Sequence, residues 1–223
     1  MRMKSIFRHE TILFLVVIVA LVILSIQAEQ FATIDNLLNQ GRFLTEVSLV
    51  ALIMTFVIVT GGIDLSVGSI LGLSAIVLGV AWKKLGLPLP LAILVALSVG
   101  TLAGLFNGII ITRFKVPPLI ATLATLALYR GLAEGISQAR SIRGYPEWFF
   151  ILGQGEFFGI PTQLWIVAFF TLLTGFILTY TTWGRATYAI GANETAARFS
   201  GIAVDKTKLF IYAASGFAAS LAA

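Results

Sequence analysis

The sequence predicts an all-α protein: a polytopic helical membrane bundle of about seven spans, with one helix broken near residues 61–66. Three observations lead there. The 223 residues are 58% hydrophobic and only 11% charged, too little charge for a soluble domain of this size. The apolar residues gather in runs long enough to cross a hydrocarbon core roughly 30 Å thick. One apolar block is interrupted at its middle by Gly61-Gly62-Ile63-Asp64-Leu65-Ser66-Val67-Gly68-Ser69, between Val47–Thr60 and Val67–Trp82. A continuous membrane helix does not carry such a stretch, whereas a helix that stops and restarts does, provided protein or a water-filled cavity covers the break.

Span one is read at Thr11–Ala28, behind a tail containing Arg2, Lys4 and Arg8. The apolar run is long for a signal peptide, and Ile26-Gln27-Ala28 makes a poor cleavage site, so the span is read as retained. The polar stretch Glu29–Phe43 suggests an interfacial helix before span two, Leu44–Thr60. Span three, Leu65–Trp82, follows the break. Lys83, Lys84, Gly86, Pro88 and Pro90 then form a loop, and span four covers Leu91–Thr112. Pro117 and Pro118 precede span five, Leu119–Gly135; Ile136–Pro161 is too polar to span; span six is Thr162–Thr182. After a polar segment at 183–208, a last apolar run from Leu209 to Ala223 rises only about 22 Å as a helix. The chain is therefore expected to stop inside a seventh span. With the N-terminus in the cytoplasm, nine Lys and Arg lie inside and six outside, which favours that orientation.

Composition also excludes chemistry. There is no cysteine and a single histidine, His9, so no thiolate site and no metal-ligand pattern is expected. No G-x-x-x-x-G-K-[ST], H-E-x-x-H or G-x-S-x-G motif occurs. No catalytic residue, cofactor or nucleic-acid partner is expected, and the chain is not read as an enzyme. Its environment is membrane lipid.

The informative residues sit in two places. At the break, Gly61 and Gly62 tolerate the backbone that closes one helix, and Asp64 or Ser66 suits the cap of the next. Asp64 is the only acidic residue between Glu46 and Glu134; an intramembrane carboxylate fits a helix cap, a solute contact, or both. Ser69 belongs to the same stretch. Asn107 lies beside the Gly100, Gly104, Gly108 stripe, which allows close helix approach. It fits interhelical bonding or a ligand contact. Thr122 and Thr125 either bond their own helix or line a polar pathway. Gly68 with Gly72, and Gly131 with Gly135, form further smooth patches. Arg130 and Glu134, four apart, are expected to pair.

The second place follows span six. Asn193 is a good N-cap, Glu194 to Ser200 can form two turns, and Gly201 suits the residue after the C-cap. Ala196 and Ala197 would permit close approach to a partner groove, and Glu194 would pair with Arg198.

Taken together, Gly61–Ser69, Phe106-Asn107-Gly108, Lys115-Val116-Pro117, Ile120-Ala121-Thr122-Leu123, Leu128-Tyr129-Arg130-Gly131 and the run Gly184–Ile202 resemble the ribose-type permeases of bacterial ABC importers. The resemblance covers the chain from span one onward. It implies a single transmembrane permease domain over 1–223, C-terminally incomplete against a usual ten spans, with a cytoplasmic coupling segment at 183–208. It implies an inner-membrane subunit that imports ribose, rhamnose, xylose, galactose or autoinducer-2. The implied partners are a cytoplasmic ABC ATPase, a periplasmic sugar-binding protein and a second permease subunit, identical or related. The alternative is an ion-driven secondary sugar transporter, which calls for paired buried acids and inverted repeats; the sequence displays neither.

Overall fold

The computed structural model describes residues 3–138 and 140–223, with side chains from Glu10 onward; Arg2, used in the orientation above, lies outside them. The chain folds into ten helices among the described residues: α1 (Met3–Gln27), α2 (Ile34–Val59), α3 (Val67–Lys83), α4 (Leu89–Arg113), α5 (Pro118–Ser137), α6 (Glu147–Gln154), α7 (Thr162–Tyr180), α8 (Thr182–Ala192), α9 (Glu194–Phe199) and α10 (Val204–Ala222). A two-stranded antiparallel ribbon, β1 (Glu156–Phe157) and β2 (Ile160–Pro161), sits between α6 and α7. In α1 from Glu10, and in α2, α4, α5 and α7, the helix is long and apolar enough to cross a membrane; α3 is apolar but has 17 residues.

Two boundaries differ from the sequence reading. The polar stretch before span two forms no separate interfacial helix. Thr33 caps α2, its Oγ1 accepting from Asn36 N at 3.3 Å, and the helix runs unbroken to Val59. α2 is about 39 Å long, so its first turns extend past the apolar run. α10 starts at Val204, ahead of the apolar run, and is about 28 Å long. Within the segment read as too polar to span, α6 and the ribbon form. Arg42 on α2 pairs with Glu156 on β1 at 3.2 Å.

The core forms around α10, which packs most extensively on α4 and also meets α2 and α3. Every residue of α1 from Glu10 to Gln27 is exposed. The α4–α10 contact is backbone on backbone. A Cβ at Gly104 would stand 2.1 Å from Tyr212 O, and one at Gly216 would stand 2.0 Å from Gly100 O. The glycine stripe of α4 therefore works as the sequence predicts, with α10 as its partner. The smaller patches do not: a Cβ at Gly68, Gly72, Gly131 or Gly135 would meet nothing within 4 Å. These positions lie on uncovered helix faces.

This contrast is testable. Gly104→Val forces two packed backbones apart, at about 2 kcal/mol or more, and should clearly lower the apparent melting temperature in detergent. Gly68→Ala fills open space and should leave that temperature unchanged. Equal shifts in the two variants would mean that the stripe is not the packing seam.

Candidate functional site

The break is present. α2 ends in a Schellman closure: Gly61 N donates to Ile58 O and Gly62 N to Val57 O, each at 2.9 Å, while Gly61 takes φ +74°. Glycine enters that left-handed region without the Cβ clash. Thr60 Oγ1 adds bonds to Phe56 O and Val57 O. The chain then runs non-helically from Gly62 to Ser66 before α3 begins.

Over this stretch burial alternates. Gly62, Asp64 and Ser66 are buried; Gly61, Ile63 and Leu65 are exposed. The polar side chains point into the bundle and the apolar ones out of it. That is the inverse of a soluble strand, and it suits an apolar surround.

Inside, Asp64 is 2% exposed and gathers three donors. Its Oδ1 accepts from Ser66 N at 3.0 Å and Ser66 Oγ at 2.6 Å; its Oδ2 accepts from Ser215 Oγ on α10 at 3.0 Å. Ser66 is the residue at the N-cap of α3, and its own side chain does not cap the helix. Asp64, two residues earlier, ties down the Ser66 amide. Asn107 on α4 donates Nδ2 to Ser66 Oγ at 2.7 Å. The Tyr129 hydroxyl on α5 lies 2.9 Å from Ala103 O and 3.3 Å from Asn107 Oδ1. Thr122 Oγ1 reaches Ile63 O at 3.1 Å as well as Pro118 O in its own helix. Thus α4, α5 and α10 all hold the break.

Of the residues singled out from the sequence, Gly61, Gly62, Asp64, Ser66, Asn107 and Thr122 come together here. Ser69 bonds only within its own turn, to Ser66 O. Thr125 bonds Ala121 O and Thr122 O in its own helix. Thr122 and Thr125 lie on the buried face of α5, whose exposed residues include Leu119, Ile120, Leu123, Ala124, Ala127 and Leu128. The sequence reading missed Ser215 and Tyr129 as partners. A cavity of ≈ 430 Å³ lies elsewhere, lined by Arg42, Glu46, Ser74 and Gln163 among others, and none of the expected site residues borders it.

The second region also takes shape. Asn193 caps α9, its Oδ1 accepting from Ala196 N at 2.9 Å. Gly201 N to Arg198 O and Ile202 N to Ala197 O close a second Schellman motif, with Gly201 at φ +83°. Glu194 and Arg198 pair at 3.0 Å as their spacing predicts, and so do Arg130 and Glu134 at 3.1 Å. The α9 pair is part of a larger cluster. Lys208 reaches Glu194 at 2.6 Å, Lys115 reaches Asp205 at 3.0 Å, and Arg198 also binds Asp205. The Lys208 ammonium holds the Glu194 carboxyl below its ordinary range, and Arg198 holds Asp205, in the first turn of α10, well below it.

Ala197 departs from the expectation. It is buried against Ile190 and Val204, so it seats α9 on its own chain. The outward residues are Thr195, Ala196, Arg198, Phe199 and Ser200, with Phe199 90% exposed.

A family model described as branched-chain amino acid transport system / permease component matches residues 34–223. The chain belongs to this permease family. The permease is 39% identical over 213 residues to the ribose import permease protein RbsC of Haemophilus influenzae, covering 94% of this chain and 66% of that protein. It is 36% identical over 225 residues to RbsC of Escherichia coli K12, covering 96% and 67%. It is 35% identical over 200 residues to the L-arabinose transport system permease protein AraH of the same organism, covering 86% and 58%. The chain thus spans about two thirds of the length of its ribose permease relatives. No solved structure matches it. The ribose-type resemblance read from the motifs agrees with these relatives.

The hub of this site makes a direct prediction. Asp64→Leu leaves the Ser66 amide, the Ser66 hydroxyl and the Ser215 hydroxyl without their acceptor. It should cost about 3 kcal/mol or more in thermal unfolding of the purified permease. Asp64→Asn keeps one acceptor oxygen and should cost less than half as much. Equal losses would show that the carboxylate is not an acceptor hub.

Proposed function

We propose that the permease forms the translocation pathway of an ATP-driven importer for a sugar or sugar-like solute. It sits in a bacterial inner membrane with its N-terminus in the cytoplasm. Its partners are a cytoplasmic ATPase, an external sugar-binding protein and a second permease subunit. The observation that carries this reading is a broken membrane helix, held from inside by Asp64 and uncovered outside at Gly61, Ile63 and Leu65, in a chain of this family. Half-helix ends at membrane depth are where transporters meet their solutes. In this reading the uncovered side of the break, next to the exposed face of α5, faces the pathway and the second subunit. Its side chains are apolar, so the pathway grips a neutral polyol weakly and releases it. Tight affinity then belongs to the external binding protein.

Energy enters at α9. The chain carries no phosphate-binding loop, so a nucleotide-driven cycle needs a separate ATPase at the cytoplasmic face. A short helix with both ends closed, tied by ion pairs to the next span and presenting Phe199, suits insertion into a groove of that partner. The ion-driven alternative is less well supported, since Asp64 is the one buried carboxylate among the described residues.

The test is reconstitution of the intact permease with its ATPase and binding protein in vesicles. ATP-dependent uptake of ribose or arabinose is the expected result; uptake driven by an ion gradient without ATP would overturn the reading. Phe199→Asp should weaken ATPase co-purification by about tenfold or more, as loss of an interface anchor does. Ala197→Trp should instead lower the stability of the permease itself.

A further inference from the structure

Hydroxyls in the membrane-spanning helices of this chain mostly bond their own backbone. Thr55, Ser98, Thr101, Thr112, Thr171 and Thr179 each donate to the carbonyl four residues earlier, the default for such residues. Ser215, in the middle of α10 and 0% exposed, does not. It reaches across to Asp64, 151 residues away in sequence. One turn earlier on α10, Tyr212 sets its hydroxyl against Gly62, where a Cβ would come within 2.6 Å of it. So α10 touches the break at two successive turns.

The N-terminal end of α10 is fastened to α9. Asp205 binds Arg198 of α9 and Lys115 of the α4–α5 loop, and Lys208 binds Glu194 of α9. From Asp205 to Ser215 the rod is about 15 Å long. α8 makes a second contact. Gly191 lies so close to the end of α2 that a Cβ there would stand 1.9 Å from Val59 O, directly before the break. Trp183 of α8 sits between Phe56 of α2 and Phe210 of α10. Ala197 of α9 is seated on Ile190 of α8 and Val204 of α10 together. A displacement of α9 therefore pushes on both helices, α10 touching the break through Tyr212 and Ser215 and α8 touching Val59 just before it.

We propose that Ser215 is a positioning residue for transport: through its bond to Asp64, α10 transmits movement of α9 to the broken helix, with α8 bearing on the other side of the break at Val59. This rests on the ATP-driven reading above. Ser215 touches neither nucleotide nor the uncovered side of the break; it acts through Asp64. Its loss should therefore separate ATP hydrolysis from solute movement instead of lowering both.

The experiment compares the intact permease with Ser215→Ala, each reconstituted with its ATPase and binding protein, with ribose as the solute. Two rates are read on the same vesicles: ATP hydrolysed under stimulation by the binding protein, and ribose imported. Ser215→Ala should keep stimulated hydrolysis within about twofold and lower ribose imported per ATP by about tenfold, the scale of one lost hydrogen bond to a charged group. Ser215→Cys, of similar size but a weaker donor, should fall between. If Ser215→Ala does not assemble, the ratio for Ser215→Cys decides alone. An import-to-ATP ratio within twofold of the parent in the variant that assembles overturns the role of Ser215 while leaving the functional reading intact. Absence of ATP-dependent import in the parent overturns the functional reading instead.

Discussion

A break in a membrane helix frees backbone N–H and C=O groups where no bulk water can satisfy them, and each left alone costs several kcal/mol. One carboxylate stands at the centre of the structure's answer. Asp64 accepts from the Ser66 amide and hydroxyl on its own segment and from Ser215 on α10. Ser66 passes the network to Asn107, and Asn107 to Tyr129. The freed carbonyl of Ile63 is taken by Thr122. Both polar side chains of the segment, Asp64 and Ser66, turn inward, and Ile63 and Leu65 are left outside. The same feature that stabilises the break thus determines what its uncovered side is made of.

That arrangement depends on α10 lying close enough to reach. The glycine stripe of α4 brings the two backbones into contact at Gly104 and Gly216, where any side chain would collide. With α10 so near, Tyr212 and Ser215 come within reach of Gly62 and Asp64. Packing and polar chemistry are then one problem: widening the α4–α10 seam would also break the bond that α10 makes to the break. The α9 end of α10 follows from the same geometry. α10 begins at Val204, ahead of its apolar run, and this extra length carries Asp205 and Lys208 to α9.

Local features were legible in the sequence. Gly61 and Gly201 each occupy the left-handed position of a Schellman closure, and Asn193 caps α9, because such motifs are specified by residues within one turn of each other. Five of the expected spans, α1, α2, α4, α5 and α7, were legible too, since apolar length is a one-dimensional property. Side-chain direction was harder to read. Thr122 and Thr125 are three apart on a helix whose polar and apolar residues form no clear stripe, and both turn inward. Ala197 looked like a clearance for a partner but fills a contact with Ile190 and Val204. Ser215 has no local signal at all: its partner lies 151 residues away, and only the fold brings them together. Tyr129 stood inside a motif that carried the family resemblance, yet nothing nearby in sequence pointed to Asn107.

The break is held from within by Asp64 and is not a solvated loop. Site-resolved amide hydrogen exchange on the permease in lipid nanodiscs tests it most directly. The Ser66 amide, bound to Asp64 Oδ1 at 3.0 Å, should exchange as slowly as amides in the interior of α3. Exchange of the Ser66 amide at the rate of an open loop would mean that Asp64 does not hold the break.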